Sequence, residues 1–112
     1  MIRKLKIGEE ELEFKITNRT IFDIDEKYNN YGDVINGLME GVQLYNNSLK
    51  ILCSSCISRR LQIEEVIEKL TPMQVSYELV DFVTQLYLDY MGVKEKSEKN
   101  EVKEEKEDKK KA

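Results

Sequence analysis

Two short period-2 runs open the chain. Leu5 and Ile7 alternate with Lys4 and Lys6; after Gly8-Glu9-Glu10, Leu12, Phe14 and Ile16 alternate with Glu11, Glu13 and Lys15. Alternation on both sides of a Gly-containing turn predicts an antiparallel β-hairpin over about 2–17 with one wet face. On that face a Lys-rich strand meets a Glu-rich one, a favourable cross-strand arrangement. A lone hairpin is marginal in water, so its apolar face needs a cover.

The pattern then changes to threes and fours. Thr17 and Asn18 are capping-type residues before Ile21, Ile24 and Tyr28, with Phe22 beside them, and Asn29, Asn30 and Gly32 end that helix. Asp33 can cap a second helix in which Val34, Ile35, Leu38, Met39, Val42 and Tyr45 form a wide apolar stripe, until Asn46-Asn47-Ser48 breaks it. A third helix carries Leu49, Leu52, Cys53, Cys56, Ile57 and Arg60, and Ile63, Val66, Ile67 and Leu70 add one or two turns. Thr71-Pro72-Met73-Gln74 reads as a capping box with Pro at the first helical position. The long helix it opens runs through Val75, Leu79, Phe82, Val83, Leu86, Tyr87 and Tyr90, with Gly92 at its C-terminal end. After Gly92 only Val93 and Val102 are large and apolar. The expected fold is α+β, mainly α: one domain over 1–92 with an N-terminal β-hairpin followed by a bundle of four to five helices. A Lys/Glu-rich tail over 93–112 is expected to be disordered.

Composition narrows the function. A chain of 112 residues with Lys+Arg 18 against Asp+Glu 22 allows one domain. Residues 93–112 hold 8 Lys against 7 acids, so the net −4 leaves −5 on residues 1–92. An acidic body offers no field to gather nucleic acid or an anionic membrane. Histidine is absent, which removes imidazole bases, Ser-His or Cys-His nucleophiles and imidazole metal ligands. Five Gly write no phosphate loop. No apolar run approaches the roughly 18–20 residues of a membrane span, and Met1–Gly8 has no apolar stretch of the secretory type. The expectation is a soluble, cytoplasmic, non-catalytic protein without cofactor, metal or small-molecule substrate.

Few residues suggest chemistry. Cys53 and Cys56 are three apart on an apolar helix face; a redox or metal role is weighed against core packing, which that placement favours. Glu9-Glu10-Glu11 and Glu64-Glu65 read as a solvated face, and Arg59-Arg60 as a local helix-end interaction. The six Tyr can close a core with wet hydroxyls or serve a partner surface. The last helix is apolar on two flanks, wider than a domain of this size can bury. The expected surface for a client and for self-association is Val75, Leu79, Phe82, Val83, Leu86, Tyr87 and Tyr90, with Leu38 and Met39 beside it.

The order of hairpin, Thr17-Asn18-Arg19-Thr20-Ile21-Phe22-Asp23-Ile24-Asp25-Glu26-Lys27-Tyr28, Tyr31-Gly32-Asp33, Leu49-Lys50-Ile51-Leu52 and Leu70-Thr71-Pro72-Met73-Gln74 resembles the small tail assembly chaperones of long-tailed (siphovirus-type) phages and prophages. The resemblance covers about residues 5–92 and lies in element order and hydrophobic placement. It implies a non-catalytic protein of virion assembly, absent from the finished particle. Such a protein coats the tape measure protein, helps recruit tail tube subunits and self-associates through apolar surfaces. It also implies a longer product made by translational frameshift. Lys109-Lys110-Lys111 could be written by an A-rich slippery codon run, or could simply reflect a Lys-rich tail. A small acidic regulatory module of antitoxin or anti-activator type is the alternative. The neighbouring genes would separate the two.

Overall fold

The computed structural model describes residues 1–28 and 30–93. The hairpin is present: β1 (Arg3–Ile7) pairs antiparallel with β2 (Glu10–Phe14). The turn is tighter than the spacing suggests. Glu10 already pairs with Ile7, leaving Gly8 and Glu9 as a two-residue connection with Gly8 at φ 63°. A positive φ at the first turn position suits Gly and matches the strand twist. Lys6 stands opposite Glu11 and Lys4 opposite Glu13, as the alternation requires, while Ile7, Leu12 and Phe14 are buried on the other face.

Among the described residues five α-helices follow. In α1 (Asn18–Tyr28), Thr17 caps through its hydroxyl, which accepts from the Thr20 amide at 3.4 Å. Next, α2 (Tyr31–Glu40) starts earlier than Asp33. Asn30 is its cap and accepts from the Asp33 amide at 3.2 Å, so Gly32 lies inside the helix rather than ending the one before. The expected break at Asn46-Asn47-Ser48 falls elsewhere as well. Gly41 at φ 77° ends α2, Gln43 adopts φ 47°, and α3 (Leu44–Ser55) contains all three residues. Asn47 is buried there and donates from Nδ2 to the Val42 carbonyl at 2.8 Å. It fastens the α2–α3 corner from within a helix instead of interrupting one.

The third helix is also shorter than its apolar spacing predicts. It stops at Ser55, and the chain from Ser55 to Ser58 runs along the outer edge of β2. Lys15 N–H donates to the Ser55 carbonyl and Ile57 N–H to the Glu13 carbonyl, both at 2.9 Å. Cys56 and Ile57 therefore leave the helix to satisfy a sheet edge, and Arg60 lies beyond them outside any helix. After α4 (Ile63–Lys69) comes the reciprocal box: Gln74 N–H donates to Thr71 Oγ1 at 3.1 Å, and Thr71 N–H to Gln74 Oε1 at 3.0 Å. The helix it opens begins with a π-turn over Gln74–Glu78, closed by Leu79 N–H on the Gln74 carbonyl, and continues as α5 (Leu79–Met91). Gly92 at φ 81° ends it.

The core is continuous from the hairpin's apolar face through Ile24, Ile51, Leu52 and Val66 to Leu79, Val83 and Leu86. Phe14 meets Phe82 edge-on, with ring centroids 5.5 Å apart at 86°. Helix α5 thus supplies the cover that the hairpin needs. The tail reading over 93–112, including the Lys109–Lys111 run, lies past Val93 outside the described residues, as does Asn29 of the first helix break.

Candidate functional site

Most of the nine residues expected at a client and self-association surface are turned toward the core. Leu79, Val83, Leu86 and Leu38 are buried. Phe82, Tyr87 and Tyr90 are half-buried against the same core. Of the set, Met39 at 53% and Val75 at 38% exposure face outward. Two physical reasons account for this burial. The hairpin and α3 together cover the inner face of α5, so a stripe that looked too wide for its domain is occupied. The π-turn also inserts one residue per turn, which takes Val75 out of line with Leu79, Phe82 and Leu86.

Apolar surface is exposed at other places. Phe22 on α1 is 68% exposed, off the face of Ile21 and Ile24. Met39, Val42 and Tyr45 are exposed around the α2–α3 corner, and Met73, Val75 and Tyr77 around the start of the last helix. Phe22 could have been found, because it falls outside the i, i+3, i+7 set. Val42 and Tyr45 could not, since their exposure follows from the break at Gly41.

Two concavities accompany these surfaces. A groove of about 370 Å³ runs between β1 and the last helix, lined by Lys4, Leu5, Tyr77, Glu78, Asp81 and Phe82 among others. A cleft of about 630 Å³ between α1 and the α3–α4 connection holds Asp23, Lys27, Cys53, Cys56, Arg59 and Arg60. Cys53 is buried and Cys56 half-buried, at the helix's C-terminal end. Burial pushes the Cys53 thiol up to about 12, so it is protonated at neutral pH and lacks the thiolate of a reactive cysteine. Among the described residues no group of three or more His, Cys, Asp or Glu is placed to hold a metal ion.

The charged residues are more structured than a solvated face. Arg59 donates to Glu10 at the hairpin turn, at 2.6 and 3.1 Å, and forks onto both carboxylate oxygens of Glu65 on α4, where Lys69 adds a contact at 3.2 Å. These hydrogen bonds hold the Glu65 carboxyl down at about 2 and lower Glu10 as well. The Arg59 interaction is therefore a tertiary clasp rather than a helix-end contact. Arg3 likewise ties β1 to Asp89 on α5 at 2.6 Å. Three Tyr differ in role. Tyr90 donates to Asn18 Oδ1 at 2.6 Å, Tyr77 is 71% exposed, and burial pushes Tyr31 up to about 12. The Tyr28 ring has the Lys50 and Lys27 amines 5.2 and 5.7 Å from its centroid.

No described helix is long and apolar enough to cross a membrane. Compared with protein-family models, curated proteins and solved structures, the chain matches none of them.

Proposed function

We propose that this chain is a non-catalytic tail assembly chaperone of the siphovirus type that its element order resembles. It acts in the bacterial cytoplasm and is absent from the mature virion. In this reading it binds helical segments of the tape measure protein, helps recruit tail tube protein and self-associates. The observation that supports it is apolar surface left outside a complete core, with Met39, Val42 and Tyr45 at one corner and Met73, Val75 and Tyr77 at another. Such side chains, on an acidic body, suit reversible cover by an amphipathic helix. Each Å² of apolar area buried contributes roughly 25 cal/mol, and the net negative charge keeps a coated client soluble. The binding residues of this proposal are Met39 and Val75 with their exposed neighbours. The half-buried rims of Phe82, Tyr87 and Tyr90 come second.

The test uses Met39→Asp with Val75→Asp, both at exposed positions that leave the core intact. Light scattering should show a smaller assembly than wild type, and co-purification of a co-expressed tape measure segment should fall. Unchanged mass together with unchanged client recovery would remove the reading.

A further inference from the structure

We propose that the outer edge of β1 is a docking site for an extended protein segment in which acidic residues alternate with apolar ones. The site goes beyond the helix-face reading, because it uses backbone hydrogen bonds of the sheet rather than apolar helix surface. The register carries the first part. Ile7 and Glu10 close a two-residue turn, so Arg3, Leu5 and Ile7 turn their backbone groups toward β2, while Lys4 and Lys6 turn theirs away. Gln74 confirms that direction by donating from Nε2 to the Lys6 carbonyl at 2.8 Å. The β2 edge is closed: Glu13 N–H donates to Ser58 Oγ at 2.8 Å, and the Glu13 carbonyl and Lys15 amide are held by Ile57 and Ser55. The β1 edge keeps the Lys4 N–H, the Lys4 carbonyl and the Lys6 N–H without partners among the described residues.

The groove beside that edge gives an added strand a floor. Leu5, Tyr77 and Phe82 offer it apolar surface, with Glu78 and Asp81 also in the lining, and Tyr77 on the π-turn is exposed. Charge selects the occupant. On its inner edge β1 already holds a strand of the proposed kind, with Glu11 opposite Lys6, Glu13 opposite Lys4, and Leu12 and Phe14 on the apolar face. An incoming strand on the outer edge meets the same two lysines on the wet face and the groove on the other. A second copy of this chain does not suit. Its β1 would set Lys against Lys, and its β2 edge is closed.

The probe is a synthetic peptide of the Glu9–Ile16 sequence, titrated into the full-length chain labelled with ¹⁵N. Saturable binding should shift the Lys4 and Lys6 amide signals and slow their hydrogen exchange, leaving Leu12 and Glu13 unmoved. Lys4→Pro deletes an outward N–H that the hairpin ladder does not use, and should weaken binding at least about tenfold with no loss of thermal stability. If that variant does unfold at lower temperature, Tyr77→Asp at the exposed rim should produce the same weakening. The proposal is overturned by an absence of binding, or by equal binding of a peptide with Lys in place of each Glu. Affinity unchanged in Lys4→Pro, or in Tyr77→Asp where that variant stands in, also overturns it, as do shifts confined to β2 that report strand exchange.

Discussion

Gly37→Ala should destabilise the protein, although an added Cβ in a helix interior ordinarily helps by about 1 kcal/mol. Gly37 lies near the end of α2, where the chain turns back into α3. A Cβ at this position would stand 1.9 Å from Asn47 Nδ2, 2.6 Å from the Val42 carbonyl oxygen and 2.9 Å from Asn47 Cγ. The Asn47 amide could swing away only by giving up its 2.8 Å bond to that same carbonyl, which costs about 1 kcal/mol. The carbonyl belongs to the backbone and cannot rotate aside, so the two helices must shift, at an overpacking cost of about 1–3 kcal/mol. Set against the propensity gain, the net is a loss of about 1–3 kcal/mol, read as a lower urea midpoint at unchanged slope. The same substitution in an Asn47→Ala background should cost less, since one of the two obstacles is gone, but should still cost something because the Val42 oxygen stays. A Gly37→Ala protein as stable as wild type would refute the close approach of α2 and α3 that fixes this corner.

Two further outcomes follow from the electrostatics. Glu65 titrates near 2 when folded, below the 4.5 of an ordinary Glu carboxyl, and Glu10 is lowered as well. Their contribution is therefore full above about pH 4.5 and is lost as pH falls through the folded value; the fall in urea midpoint between pH 4.5 and 2 should flatten in Arg59→Gln. Cys53 moves oppositely, from 9.0 to about 12, so its contribution is full below pH 9 and fades as pH rises toward 12. At pH 8 a thiol reagent should label Cys56 first and Cys53 only at the rate of opening, and equally fast labelling of both would contradict its burial.

Local signals in the sequence were sound where the cause is local. The alternation around Gly8, the Thr17 cap, the Thr71–Gln74 box and Gly92 are each written in a few adjacent residues, and each is found in the structure. The misread boundaries share a different origin. Asn47 looks like a breaker until its side chain is seen bonded to Val42, and Cys56 fits a helical spacing until β2 claims its segment. The burial of the expected site residues was hidden for a related reason. Periodicity identifies the face of α5 that seeks cover, and Leu79, Val83 and Leu86 do lie on it, but whether that cover comes from the same chain or from another is a tertiary fact. The π-turn has no signature in Gln74–Glu78 that periodicity could detect, and it alone moves Val75.

The strip from Ser55 to Ser58 bears on the order of events at the ribosome. Glu13 finds its hydroxyl partner 45 residues further along. As the chain is made from its N-terminus, the hairpin emerges well before the segment that completes its second side, and before the helix that covers its greasy face. For that interval the nascent protein offers its stickiest strands to whatever is near. Only the arrival of residues 55–58 closes that edge.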